Sequence, residues 1–168
     1  SENGLSVDVD GFNKEMSEQR ERARSARNVG DDAGWSEDVF TTMDKAIKTD
    51  FIGYDLNETD AKVIALVSKG VVTDKVSDGE DAVIITDKTV FYGEGGGQVG
   101  DKGTICGESF KGEVYDCKKL PDGKVLHCVA ITEGTVANGD IVTLSIDTEL
   151  RKATERNHSA THLLQKAL

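Results

Sequence analysis

From residue 47 to residue 146 the apolar residues fall in short runs separated by clusters of turn-forming residues. Phe51-Ile52-Gly53-Tyr54, Ala61–Val67, Val71–Thr73, Ala82–Thr86, Gly103–Cys106, Glu113–Tyr115, Lys124–Ile131 and Ile141–Ile146 have strand length and β-branched content. Ala61–Val67 (AKVIALV) also fits a helix, since a short apolar run carries no decisive period. Turns are marked at Ser77-Asp78-Gly79, Pro121-Asp122-Gly123 and Asn138-Gly139-Asp140. Short strands at regular spacing predict a small all-β barrel rather than alternating β and α units. The fold class expected is mainly β with flanking helices. No internal repeat or low-complexity segment interrupts it.

Helical patterns lie on both sides. After Asp147, an N-cap residue type, residues 148–168 (TELRKATERNHSATHLLQKAL) form one predicted helix. Leu150, Ala153, Asn157, Ala160, Leu164 and Ala167 recur at helical spacing and predict the stripe that docks it. His158 and His162 are four apart, share a face, and lie well around the helix from that stripe. At the other end, residues 13–27 (NKEMSEQRERARSAR) favour helix but supply few apolar residues. That helix is expected to be exposed or to be the end of something larger; the chain's start without Met fits an excised piece. Residues 29–44 suggest a linker with a short helical turn after Ser36, docked by Trp35, Val39 and Phe40. The predicted organisation is therefore 1–28, helical; 29–44, linker; 45–146, barrel; 147–168, helix.

Composition narrows the function. The chain has 168 residues and a formal charge of -11, which argues against a general polyanion-binding surface. The C-terminal segment departs from this, with Arg151, Lys152, Arg156 and Lys166 against Glu155, so nucleic-acid contact is expected there first. Cys106, Cys117 and Cys128 are odd in number and contain no CxxC, which suits reduced thiols in a cytosolic protein. No apolar run is long enough to span a membrane and no signal peptide opens the chain, so a cytoplasmic location is expected.

The segment with the most unusual chemistry is Thr89–Gly103 (TVFYGEGGGQVGDKG), in which six of fifteen residues are glycine. Consecutive glycines admit positive φ and leave backbone bare to an approaching group. Gln98 follows them with both a donor and an acceptor. A bulged hairpin or barrel corner explains the same glycines without a ligand. A phosphate cradle is disfavoured, because no helix and no Lys-Ser/Thr pair follows and Thr104-Ile105-Cys106 continues as a strand.

His158 and His162 form the second constellation. Two imidazoles at i,i+4 on a helix can reach one metal ion, or can simply be two surface histidines. Zinc wants four ligands, or three and water, and no Cys or His pair follows them in the chain. His127 and Cys128 are neighbours on a predicted strand and point to opposite faces, so they are poor joint completers of a site.

Together, FYGEGGGQVGDKG at 91–103 and RNHSATHLLQKAL at 156–168 resemble the alanyl-tRNA synthetase family. GLSVDVDGFNKEMSEQRERAR at 4–24 and FIGYDLNETDAKVIALV at 51–67 resemble the stretch between its tRNA-recognition and editing parts. The resemblance covers nearly the whole chain. It implies a parent enzyme that joins alanine to tRNA(Ala) with ATP and Mg2+, and whose editing domain hydrolyses tRNA(Ala) mischarged with serine or glycine. It implies a barrel of the translation-protein type, with tRNA(Ala) as partner, and leaves room for a homodimer of the full-length protein. In that family zinc is held by an HxxxH pair and a later CxxxH pair; His158 and His162 match the first, and the second has no counterpart here. The glycine-rich motif lines the family's editing pocket, which places Gln98 near the substrate and makes Thr89 a hydroxyl that discriminates a serine side chain. Where the synthetase motif often has PFYAESGGQ, Val90, Gly93 and Gly95 stand here in place of the proline, alanine and serine, a departure towards the free-standing deacylases that share the motif. The N-terminal matches favour the synthetase. Nothing in the chain resembles its charging site. A free-standing deacylase and a non-catalytic barrel that positions tRNA are the alternatives.

Overall fold

A computed structural model of the chain describes residues 39–40, 43, 47–95 and 98–167. All of them belong to the unit Ser36–Leu168. The expectations for residues 1–28, for Trp35 and for Gly96 and Gly97 lie outside the described residues. Val39 and Phe40 are helical, and Phe40 is buried, as a docking residue after Ser36 should be.

Ten strands and one helix follow. They are β1 (Asp50–Phe51), β2 (Glu58–Ser68), β3 (Val71–Thr73), β4 (Lys75–Ser77), β5 (Asp81–Thr86), β6 (Lys88–Thr89), β7 (Gly103–Gly107), β8 (Phe110–Lys119), β9 (Val125–Ala137), β10 (Ile141–Ile146) and α1 (Thr148–Ala167). Six strands close a barrel in the order β2-β5-β9-β8-β7-β10, with β10 returning to pair with β2, and every pairing in the ring is antiparallel. Closure leaves the ring no free edge. Short β3 and β4 pair onto β2 and β9.

Local chemistry explains the elements. In β2, Ala61 and Val63 alternate inward with exposed neighbours, and a register shift between Val63 and Ala65 then lets Ala65, Leu66 and Val67 all be buried. Period two through Val63 excludes the helical alternative. β5 is buried from Ala82 to Thr86, as its unbroken apolar run demands. The three sequence-marked turns are occupied by Gly79, Gly123 and Gly139 at φ +77°, +94° and +94°. Asp147 caps α1, its Oδ1 accepting from Glu149 N–H at 3.1 Å and Leu150 N–H at 3.0 Å.

Two expectations are corrected. Phe51–Tyr54 is not a strand of the barrel: only Asp50 and Phe51 pair, in parallel with β6, and the chain then turns through Gly53 and Tyr54. Gly53 sits so close to the Val90 carbonyl that an added Cβ would lie under 3.0 Å from it, which a regular strand would not impose. The apolar stripe of α1 does not dock it either. Of the stripe Ala153 is half-buried, but Leu150 is 40% exposed, Leu164 61% exposed, and Asn157 and Ala160 are exposed too, whereas Thr148, Arg151 and Thr154, off the stripe, are half-buried. The helix is held by the polar side of its first two turns.

The core is formed inside the barrel by Val63, Leu66, Ile84, Ile105, Val129 and Leu144 among others. Across the ring, Cys117 opposes His127 and His127 opposes Ile84, so these three share a layer near one end. Val90 and Phe91 are fully buried in the same core, with Phe91 against the His127 ring, and so fill that end of the barrel.

Gly100 makes the closest structural demand: a Cβ there would lie under 3.0 Å from the Cys117 carbonyl oxygen and amide nitrogen. Gly100→Ala is expected to lose about 1–3 kcal/mol of stability in urea unfolding. An unchanged midpoint would mean that the glycine-rich segment can move off β8 freely.

Candidate functional site

The glycine-rich segment begins inside the barrel and ends at the surface. Thr89, its first residue, is fully buried. The Thr89 Oγ1 is 2.7 Å from His127 Nε2, and His127 Nδ1 is 2.9 Å from the Ile84 carbonyl oxygen. A carbonyl only accepts, so Nδ1 carries the proton and Nε2 is bare. The Thr89 hydroxyl therefore donates to Nε2, while Phe91 N–H donates to Thr89 Oγ1 at 3.0 Å. Burial pushes the His127 pKa down to about 4, against a smaller opposing effect of the Ile84 hydrogen bond. His127 is thus a neutral, oriented acceptor. The sequence held a signal for it, a histidine inside the apolar run VLHCVAI, but not its partner.

Cys128 opposes Asp116 and lies on the other face of β9 from His127. Burial raises the Cys117 thiol well above its ordinary value and Cys128 to about 12, so neither supplies a thiolate. All three cysteines are unpaired.

Beyond Phe91 the segment leaves the barrel as a loop closed at its base. Tyr92 N–H donates to Asp101 Oδ2 at 2.6 Å, and Asp101 N–H to the Tyr92 carbonyl at 3.0 Å. Glu94 N–H donates to the Cys117 carbonyl at 2.7 Å, laying the outgoing arm along β8. At the tip Gly95 and Gln98 exchange backbone hydrogen bonds of 3.2 and 3.1 Å. The hairpin reading of the glycines is therefore right, and the hairpin delivers Gln98 half-buried to the surface.

Arg151 fixes this loop to α1. Its Nε and Nη2 donate to the Asp101 carboxylate, Nη1 donates to the Gly53 carbonyl at 2.7 Å, and Nη2 to the Val90 carbonyl at 2.5 Å. The Arg151 and Asp101 side chains are 12% and 4% exposed. A guanidinium suits the position because its donors lie in a rigid plane and serve a carboxylate and two carbonyls at once.

Between these elements lies a cleft of about 370 Å³. Phe51, Gly53, Tyr54 and Asn57 form one side, Tyr92 and Gln98 another, and Thr148, Arg151, Lys152 and Glu155 of α1 the third. Of the residues singled out in the sequence, Gln98 is on the wall and Thr89 is not; Thr89 is inside the barrel with its proton committed to His127. His158 and His162 are not on the wall, but they continue its helical row: they follow Glu155 at i+3 and i+7. His158 is exposed, and the side chain of His162 is outside the described residues. Among the described residues no group of three or more His, Cys, Asp or Glu is placed to hold a metal ion. Two imidazoles four apart are half of a zinc donor set, so these residues do not make a zinc site by themselves. Among the described residues no helix is long and apolar enough to cross a membrane.

The sequence model of the family "tRNA synthetases class II (A)" matches residues 1–150. Over 167 residues the chain is 50% identical to an alanine–tRNA ligase of Alkaliphilus oremlandii, 44% to that of Acetivibrio thermocellus and 46% to alanine–tRNA ligase 1 of Lachnoclostridium phytofermentans. Each match covers 99% of this chain and 19% of the relative, so the chain spans about a fifth of the length of these curated relatives.

Two measurements test the site's architecture. Arg151→Met strands the Asp101 carboxylate and is expected to cost about 3–5 kcal/mol in denaturant unfolding, with much of the loss recovered when Asp101→Asn is added. A loss below 1 kcal/mol (roughly the surface-pair range) would contradict the role of the pair. For His127 the folded pKa lies below the unfolded value of about 6.5. Its neutral-state contribution is complete above that value and is lost as pH falls towards 4, because the unfolded chain binds the proton first. Between pH 7 and pH 5 this should remove roughly 2 kcal/mol, and imidazole nitrogen shifts should show a neutral Nδ1–H ring at pH 5.5. A charged His127 ring in the folded protein at that pH would refute the assignment.

Proposed function

The chain belongs to the class II tRNA synthetase (A) family, and on that footing we propose that it is the barrel and first helix of the editing region of an alanine–tRNA ligase. The observation that carries this reading is the shared cleft. It sets Gln98 of the glycine-rich motif against the row of α1 that runs on to His158 and His162. The reaction proposed for the complete region is hydrolysis of the ester in Ser- or Gly-tRNA(Ala). Ligation of alanine with ATP and Mg2+ is proposed for the whole protein, not for this chain, as is a homodimer. A cytoplasmic location is part of the same proposal.

In this reading Gln98 orients the aminoacyl end of the tRNA with its amide donor and acceptor. His158 and His162 contribute two ligands to a zinc ion whose other ligands come from outside this chain. Thr89 has a narrower role. Its proton is committed to His127, it accepts from Phe91 N–H, and it is fully buried off the cleft wall, so it acts by anchoring the start of the glycine-rich segment rather than by touching a seryl hydroxyl in the cleft. A free-standing deacylase is disfavoured, because the similarity to the ligases takes in 99% of the chain, including the residues before the barrel.

The test is hydrolysis of Ser-tRNA(Ala), with zinc, by this chain and by a protein extended past residue 168. Activity is expected only in the longer protein. There Gln98→Ala should slow deacylation by roughly 10-fold or more, the scale of one lost positioning hydrogen bond, and His158→Ala should abolish it with the fold retained. Parental rates in both variants would leave a barrel that positions tRNA without taking part in the chemistry.

A further inference from the structure

The glycine-rich loop and α1 leave the barrel side by side. Gly103 of β7 pairs with Ile146 of β10, and one residue further out Asp147 N–H donates to the Lys102 carbonyl at 2.8 Å. Among the described residues no ladder runs past that bond. The next ties are those of Arg151, one turn along α1 from its cap, to the Asp101 carboxylate, the Gly53 carbonyl and the Val90 carbonyl. Three acceptors from three segments around one planar guanidinium hold a helix at one angle, whereas a single point contact lets it swing. The leucines of the apolar stripe, Leu150 and Leu164, are exposed and do not set that angle.

We propose that Arg151 is a positioning residue for the editing reaction, acting through Asp101 on the hairpin that carries Gln98 and through α1 on His158. The inference rests on the editing reading above and adds to it a residue that touches no substrate. Gln98 is three residues from Asp101. Its hairpin is closed at the base by the Tyr92–Asp101 hydrogen bonds, and Gly100 is packed on Cys117, so the tip follows Asp101. His158 is seven residues along α1 from Arg151, a rise of about 10 Å. Turning the helix by about 10° at Arg151 carries His158 about 2 Å. A displacement of about 1 Å in a reacting group costs on the order of 100-fold in rate, so the angle that Arg151 holds is large enough to decide turnover. Binding energy drawn from the rest of a tRNA is indifferent to that angle, so the loss belongs in kcat rather than in KM. Lysine is no substitute, because one ammonium on a flexible stem is a point donor and cannot fix three acceptors about a plane.

The test separates angle from stability. Arg151→Met with Asp101→Asn removes both buried charges together; Arg151→Lys keeps the charge without the planar fork and carries the same comparison should the double variant not fold. In the 168-residue chain, amide residual dipolar couplings read the direction of α1 against the strands. Each variant is expected to keep the parental couplings in β5 and β9 and to depart from them in α1, the double variant by more. Parental α1 couplings in a folded variant would overturn the inference. In the protein extended past residue 168, kcat for Ser-tRNA(Ala) should fall about 100-fold in the double variant and by less in Arg151→Lys, with KM held within about twofold. A double variant that recovers stability and kcat together would make the pair structural only, overturning the inference and leaving editing standing. A parental extended protein that hydrolyses no aminoacyl-tRNA would overturn editing, and with it the part of Arg151 in turnover; reoriented α1 couplings would then leave only the helix angle assigned to Arg151.

Discussion

Arg151 joins four pieces of chain, of which the turn after β1 and the exit from β6 are otherwise linked by a sheet. Its guanidinium satisfies the Asp101 carboxylate at the base of the glycine-rich loop, the Gly53 carbonyl in the turn after β1, and the Val90 carbonyl where the chain leaves the barrel. All are held from the first turn of α1. Each of these acceptors would otherwise need another donor, because an unpaired buried polar group costs more than a hydrogen bond returns. The cleft exists because these pieces converge on one side chain. Its three sides are the turn, the loop and the helix that Arg151 ties together.

The barrel beneath is rigid for a different reason. Six antiparallel strands close on themselves, so every inner strand has two partners. Phe91 fills one end, and the polar groups that enter the core with it are paired: Thr89 with His127, His127 with Ile84, and Phe91 N–H with Thr89. A neutral histidine is the economical choice at such a point, since it can donate on one side and accept on the other without a buried charge. This network fixes the start of the glycine-rich segment, and Arg151 fixes its end. The tip with Gln98 is free to serve as a contact surface between two anchored points.

Much of the architecture was legible from local patterns. β2, β5, β7, β9 and β10 fall on apolar runs, the marked turns carry glycines at positive φ, and Asp147 caps the helix. These features depend on residues within a few positions of one another, where period, propensity and turn chemistry act directly. The failures share a cause too. Phe51–Tyr54 has the composition of a strand, yet Gly53 must pass beneath the Val90 carbonyl. The apolar stripe of α1 has the right period, yet the groups that hold the helix are polar and come from residues about 50 and 100 positions away.

The sequence by itself therefore determined the class of fold, the family, and the residue types with chemistry to offer: Gln98 after its glycines, and His158 with His162. Tertiary structure decided what each could do. It buried Thr89 and gave its proton to His127. It left Tyr54 exposed beside two carboxamides, and it set Gln98 across a cleft from α1. The physical reason is range. A strand or a cap is decided by neighbours in the chain, whereas a hydrogen-bond partner or an exposed ring is decided by which distant segments the closed barrel brings together.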